Sequence, residues 1–325
     1  MQKRMKWLLA LFIPVLLGIG ILCSLTQFGG AHASPLPKAR ITVLAAGVDL
    51  AAEHTDVLML LSLDLGEKRV TVLQIPRDTY FSSDTPQHKI NQLYPHYRLS
   101  GHSPVEALSA VAGELSLALG VTIDHVMVID LATASQLVDA MGGVSLTVPV
   151  AIRQAIPGTD RYVELAPGYR TLNGEEAVAF LRYRAGYTEG DLGRINAQKL
   201  LLDAVYKKLK AEVPLSLLLD LIRKGGGGIQ TDIPLSAQWQ LATACYSVRK
   251  DLSLLCATLP GEAARGEIAS GIWYYVVNKQ AAATLLRRYF ASEAFDPDVR
   301  MLDPARAHFQ NIYYDKNFSY SVTTG

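Results

Sequence analysis

Cysteine is scarce in this 325-residue chain: there are three, and none forms a C-x-x-C pair. That spacing indicates neither a structural zinc site nor a disulfide framework. Cys245 and Cys256 could still pair in an oxidising compartment, which spacing alone does not establish. The seven histidines include no H-E-x-x-H or comparable metal-ligand spacing. There is no G-x-S-x-G, and nothing points to a Ser-His-Asp nucleophile set. The run Gly225–Gly228 lacks the Gly-Lys-Ser/Thr of a phosphate loop and reads as a flexible join. An excess of one charge is also missing. With a formal net charge of +1, the chain cannot neutralise many phosphates, which excludes wholesale nucleic-acid binding. Any anionic ligand must be held by a local cluster of basic residues.

Apolar residues, by contrast, are plentiful. Half of the chain is hydrophobic, enough for a sizeable core. Lys3, Arg4 and Lys6 precede an uncharged apolar run of 19 residues from Trp7 to Leu25. At helical rise such a run comes close to spanning a bilayer. The cationic flank should stay cytoplasmic, which sends the rest of the chain outside. A cleaved signal peptide is the competing reading, because Ala31-His32-Ala33 resembles a small-residue cleavage site. We read residues 1–28 as a cytoplasmic tip and transmembrane anchor, and residues 29–40 as a Gly/Pro/Ser-rich linker. The expectation is a single-pass protein of the cell membrane whose working domain is extracytoplasmic.

Short apolar runs over Ile41–Ala46, Val57–Leu63 and Val70–Ile75 predict strands, the last two joined by the turn-like Asp64-Leu65-Gly66-Glu67. Ser103-Pro104 reads as an N-cap with proline at the first helical position, opening a helix to Leu119. A strand over His125–Ile129, a helix over Ala132–Met141 and a strand over Val144–Val148 follow. Asn173 caps a helix through Phe180, Leu192–Lys210 is a longer helix, Leu215–Ile222 is helical and Leu252–Thr258 is a strand. This alternation predicts an α/β fold, a sheet with helices on both faces. Residues 41–210 carry the motifs, and residues 211–325 read as a C-terminal extension of the same domain.

Three constellations could carry chemistry. In Ile75-Pro76-Arg77-Asp78, proline removes a backbone donor and ends a buried strand. Arg77 and Asp78 thus fall at a strand end, where open α/β sheets bind ligands; a surface ion pair is the plainer alternative. Asp49 and Asp56 flank the short loop Leu50–Thr55 and could converge on a hard cation such as magnesium, or simply serve turn chemistry. Arg182-Tyr183-Arg184 is followed by Asp191-Leu192-Gly193-Arg194. Asp191 and Arg194 share a face of a first helical turn, and Asp191 could also be an N-cap. Arg182 and Arg184 project to one side if that segment is extended. The guanidinium fork matches phosphate oxygens bidentately, so a pyrophosphate suits this cluster. Lys89-Ile90-Asn91 adds a further cation and an amide.

In order and spacing, the fragments AAGVDL (45–50), HTDVLMLLSLD (54–64), IPRDTY (75–80), KINQLY (89–94), LVDAMGGVSLTVP (137–149), LNGEEAVAFLRYR (172–184) and DLGRINAQ (191–198) resemble the LytR-CpsA-Psr family. The resemblance runs from about residue 41 to 210. It implies a mixed sheet sandwiched by helices, a three-layer α/β/α fold, with a deep apolar pocket for a polyprenyl tail. It implies magnesium on Asp49 and Asp56, and pyrophosphate binding by Arg77, Arg182, Arg184 and Arg194. Asp191 matches the carboxylate among those arginines, with Asp78 and Lys89 in supporting places. The implied activity moves a glycopolymer from a polyprenyl-pyrophosphate carrier to a peptidoglycan hydroxyl. A hydrolase acting on the same lipid and a non-catalytic polyprenyl-phosphate binder are the alternatives. Two departures stand out: Leu50 replaces an arginine common after the first aspartate, and Ala197-Gln198-Lys199 stands where Arg-Gln-Gln is usual.

Overall fold

Successive residues of the first strands face opposite ways, and helices cover both faces. The computed structural model describes residues 40–49, 54–156, 159–188, 191–214, 216–217, 228–265, 272–291 and 323–324. The expected anchor, nearly all of the linker and most of the helix expected at Leu215–Ile222 lie outside that set. No helix among the described residues is long and apolar enough to cross a membrane.

Strands β1 (Arg40–Asp49), β2 (His54–Asp64) and β3 (Arg69–Gln74) form an antiparallel meander. Its second turn is tied by the Glu67 amide donating to Asp64 Oδ1 (2.9 Å), and Lys68 adopts a left-handed φ of 48°. The strands β4 (His125–Asp130) and β10 (Ser253–Thr258) add parallel to β1 and β3 respectively. Two short strands, β9 (Ile229–Thr231) and β13 (Thr323–Thr324), close the edges, so the order is β13-β10-β3-β2-β1-β4-β9. The sheet is mixed, and β9, β10 and β13 all come from beyond residue 210.

Strands buried on both sides need apolar residues at nearly every position. Met59 and Leu61 join one core with Val72 and Met127, whereas Leu58 and Leu60 join the other with Leu73 and Val128. Over the second face lie α1 (Leu93–Leu99), α2 (Pro104–Leu119) and, from the far end of the chain, α7 (Lys279–Phe290). Over the first lie α3 (Leu131–Ala140), α4 (Gly174–Arg182), α5 (Asp191–Ala211) and α6 (Leu235–Val248). Both expected caps form reciprocal capping boxes: Ser103 with Glu106 and Asn173 with Glu176. Among the described residues, three two-stranded ladders lie outside the main sheet. They pair β5 (Val144–Val148) with β8 (Gly168–Leu172), β6 (Ile152–Ala155) with β7 (Tyr162–Leu165), and β11 (Gly261–Arg265) with β12 (Trp273–Val277).

Helices α3 and α4 meet closely where α4 begins. A Cβ on Gly174 would lie 1.9 Å from the Ser135 carbonyl oxygen, and the Gly174 amide donates to Asp139 Oδ1 at 2.7 Å. Backbone cannot yield as a side-chain tip can. Gly174→Ala should therefore destabilise the fold by about 1–3 kcal/mol through overpacking, measured as a lower urea midpoint with an unchanged slope.

Candidate active site

The strands β1, β3, β4 and β10 run in the same direction, so their carboxyl ends share one edge. At this edge the chain leaves β3 through Ile75, whose amide still donates to Leu58 O (2.9 Å), and Pro76 then ends the ladder. The next segment folds back on itself. Ile90 N donates to Thr79 O (3.0 Å), Asn91 N to Arg77 O (3.3 Å) and Phe81 N to His88 O (2.8 Å). Strand β12 docks alongside, with Tyr275 N donating to Asp78 O (2.8 Å) and Tyr80 N to Tyr275 O (2.9 Å). These bonds fix Arg77, Asp78 and Lys89 together. Lys89 Nζ lies 2.7 Å from Asp78 Oδ1, and Arg77 Nε lies 3.7 Å from Asp78 Oδ2. Lys89 also lies over the Tyr274 ring, 5.4 Å from its centroid, a cation–π contact. Asp78 thus holds two cations in place.

The amino end of β2 lies at the same edge, where Thr55 Oγ1 donates to Asn91 O (3.2 Å). Gly47 pairs with Val57 but Val48 pairs with Thr55, so Asp56 is the extra residue of a bulge. Bulges bend a strand and re-aim its side chains, and they are frequent beside active sites. The backbone brings Asp49 and Asp56 to one end of one strand pair. Their side chains, and that of Asp191, lie outside the described set.

Two buried polar bonds tie the remaining segments to this edge. Gln74, the last residue of β3, donates from Nε2 to Gln198 Oε1 of α5 (3.1 Å), and Gln198 Nε2 donates to Leu181 O of α4 (3.4 Å). Both glutamines are buried. The strand leading to Arg77, the helix ending in Arg182 and the helix carrying Arg194 are therefore clamped at one point. Arg194, one turn before Gln198, is buried to 3% exposure. After Arg182 the backbone turns extended at Tyr183 (φ −64°, ψ 138°), whose ring goes inward, and Arg184 is exposed. Sequence reasoning overlooked Gln74, although a glutamine closing an otherwise apolar strand was a readable signal.

Beside the clamp is a small apolar cavity of about 20 Å³ between α3, α4 and α5, lined by residues that include Val138, Ala177, Val178, Leu181 and Leu202. That is far below the range of about 300–1,000 Å³ for ligand sites, so this cavity as it stands does not hold a polyprenyl tail. Leu181 lines the cavity, carries the carbonyl that Gln198 holds, and immediately precedes Arg182. Apolar space and guanidinium are one residue apart.

The two described cysteines take no part. Cys245 and Cys256 are free and buried, and burial pushes both thiols up to about 12, far from the thiolate that reactivity requires. Among the described residues, no group of three or more His, Cys, Asp or Glu could hold a metal ion.

Lys199 is buried, with Nζ 3.5 Å from Asn196 Oδ1, and desolvation lowers its pKa, partly offset by Cys256. A depressed lysine binds fewer protons folded than unfolded, so stability rises with pH across the interval between the two pKa values. Lys199→Gln should be the more stable protein at neutral pH. Its advantage should shrink as pH approaches the unfolded lysine value of about 10.4, read from paired denaturation curves across that range.

A model described as the LytR_cpsA_psr family matches residues 28–290. The polyisoprenyl-teichoic acid–peptidoglycan teichoic acid transferase TagU of Oceanobacillus iheyensis is 26% identical over 248 residues, covering 75% of this chain and 73% of that protein. The TagU of Halalkalibacterium halodurans is 27% identical, covering 74% and 75%. The crystal structure of Bacillus subtilis TagV superposes with a TM-score of 0.62 at 21% identity, covering 79% of this chain and 99% of that one. The overall fold is thus one already seen in solved structures, and the family match spans most of the sequence: this chain is a member of the LytR-CpsA-Psr family.

Proposed function

We propose that this protein is a phosphotransferase that moves a glycopolymer from a polyprenyl-pyrophosphate carrier to a hydroxyl of peptidoglycan. The observation that carries this reading is the junction at Leu181-Arg182. There a small apolar cavity, with Leu181 in its wall, borders a segment clamped to two other arginine-bearing elements. A lipid-linked pyrophosphate has the same two parts, an apolar tail and a compact double anion. The TagU relatives, named as teichoic acid transferases acting on peptidoglycan, suggest the acceptor and the polymer class.

In the proposed reaction, an acceptor hydroxyl oxygen attacks the phosphorus that bears the glycan. A new P–O bond forms, the bridging P–O bond to the lipid-side phosphate breaks, and polyprenyl phosphate leaves. The hydroxyl proton passes to a carboxylate at the edge, Asp78 or Asp191. Phosphoryl transfer depends chiefly on positioning and on neutralising charge at the non-bridging oxygens. Arg77, Arg182, Arg184 and Arg194 supply that charge, and Lys89 is held ready by Asp78. Asp49 and Asp56, both placed by backbone at one end of a strand pair, fit magnesium, which takes one or two protein carboxylates and completes its shell with phosphate oxygens and water. When bound there, the ion would add positive charge beside the pyrophosphate. Residues 7–28 would anchor the enzyme in the cell membrane with this edge outside the cytoplasm.

The test incubates purified protein with lipid-linked glycan, with and without a peptidoglycan oligosaccharide. Glycan joined to the oligosaccharide supports the proposal. Free phosphoglycan released at equal rate in both cases would make the protein a hydrolase, and an unreacted donor would make it a binder.

A further inference from the structure

We propose that Gln74 is a positioning residue for the transfer reaction: acting through Gln198, it sets Arg182 and Arg194 relative to Arg77, a role that rests on the function proposed above. Gln74 ends β3, pairs with Thr258 of β10 and is 2% exposed. The chemistry of its bond to Gln198 begins at the far side, on α4. Leu181 O is one of the carbonyls that a helix C-terminus leaves without a donor of its own, and the chain turns extended at Tyr183 (ψ 138°). Gln198 Nε2 supplies the missing donor from α5 at 3.4 Å. A carbonyl oxygen only accepts, so Gln198 must turn its nitrogen to Leu181 and its oxygen the other way. Gln74 Nε2 donates to that oxygen at 3.1 Å. The two amides form a one-way relay from β3 to α5 to α4, in which each bond polarises the next. Without Gln74, Gln198 loses the contact that holds its amide in this orientation.

The relay acts on the parts that carry the arginines. The Leu181 carbonyl and the Arg182 nitrogen share one planar peptide unit, so holding the oxygen orients the backbone of Arg182. Gln198 lies one turn after Arg194 on the same helix face, and Arg77 follows the strand that Gln74 ends. Three elements distant in sequence thus take their register from two directional bonds. An apolar side chain of similar size would fill the same space but would not fix that register. The requirement is strict, because a misplacement of about 1 Å can cost on the order of a hundredfold in rate. An ordinary interior hydrogen bond, by contrast, would serve stability alone.

The experiment uses the full chain in detergent and measures kcat, KM for the lipid-linked donor, and melting temperature. It compares wild type, Gln74→Met, Gln198→Met and the double variant. Gln74→Met should lower kcat about tenfold or more and leave KM within about twofold, because the arginines remain to bind the donor while their placement for the transition state is lost. Its melting temperature should fall by no more than a few degrees. Methionine nearly conserves the volume, and it removes the buried, unpaired Gln74 Oε1 while leaving Gln198 Oε1 without its donor. The double variant should be no slower than Gln198→Met alone, since both residues serve one relay. Unchanged kcat in Gln74→Met would overturn the positioning role. Losses that multiply in the double variant would also overturn it, because the glutamines would then act separately. So would a kcat loss that disappears at lower assay temperature, the mark of a weakened fold. A wild type that transfers nothing would instead remove the functional reading, and this inference with it.

Discussion

Arg77→Ala should lower glycopolymer transfer by on the order of a hundredfold or more while leaving the melting temperature within a degree or two. The rate figure is the usual cost of removing one preorganised donor from developing charge, about 3 kcal/mol. Arg77 is well suited to that role. Its backbone is fixed by the Asn91 amide bond to its carbonyl, and its side chain is restrained by Asp78 at 3.7 Å. Arg77→Lys should not rescue, because an ammonium is a point charge and cannot make the paired bonds of a guanidinium fork. An ordinary ion pair at a strand end predicts something else: a stability change below about 1 kcal/mol and full activity in both variants. Transfer rates and melting curves on the same preparations separate the two accounts.

Val178→Phe should cut affinity for a long-chain polyprenyl phosphate by about thirtyfold and leave a geranyl-length donor nearly unaffected. Val178 is a half-buried residue of the wall of the small apolar cavity, so on the proposed reading a ring there blocks the space into which the tail would have to open the fold. Each methylene kept out of an apolar site forfeits about 0.8 kcal/mol. Displacing two or three carbons therefore costs about 2 kcal/mol, the thirtyfold stated. The alternative is that the space is ordinary packing slack in a closed core. In that case the extra ring overpacks, stability falls by about 1–3 kcal/mol, and long and short lipids are affected alike. Binding curves for the two chain lengths decide between these outcomes.

Much of the fold was legible because its strongest signals are local. The apolar runs that became β1 to β4 are continuous since helices cover both faces, and Ser103 and Asn173 carry their capping partners three residues on. The strand ends extend further than the apolar runs because polar residues such as Arg40 and Asp64 pair across the ladder (Nη2 to Oδ2, 2.6 Å). The hairpin of β6 and β7 was not read, since four-residue strands with alternating burial resemble polar loop. Helices α6 and α7 were missed because small residues dilute their apolar stripes.

The candidate site divides in the same way. Arg77 and Asp78 could be placed from Pro76 alone, because proline ends a ladder wherever it occurs. That Lys89 would return to Asp78 depends on a lap of backbone bonds over residues 77–91, which no periodicity encodes. The Gln74–Gln198 clamp joins positions 124 apart in sequence, and such pairings are visible only once the layers are packed.

The most direct test of the central claim counts phosphorus in the products of a single reaction. Purified enzyme is given a polyprenyl-pyrophosphate-linked glycan and a peptidoglycan oligosaccharide, and acceptor and lipid are analysed by mass spectrometry. The account predicts one phosphate in the new glycan–peptidoglycan linkage and one equivalent of polyprenyl monophosphate released for each linkage formed. Glycan joined without phosphate, with polyprenyl pyrophosphate as the released lipid, would place bond cleavage at the sugar carbon and contradict it.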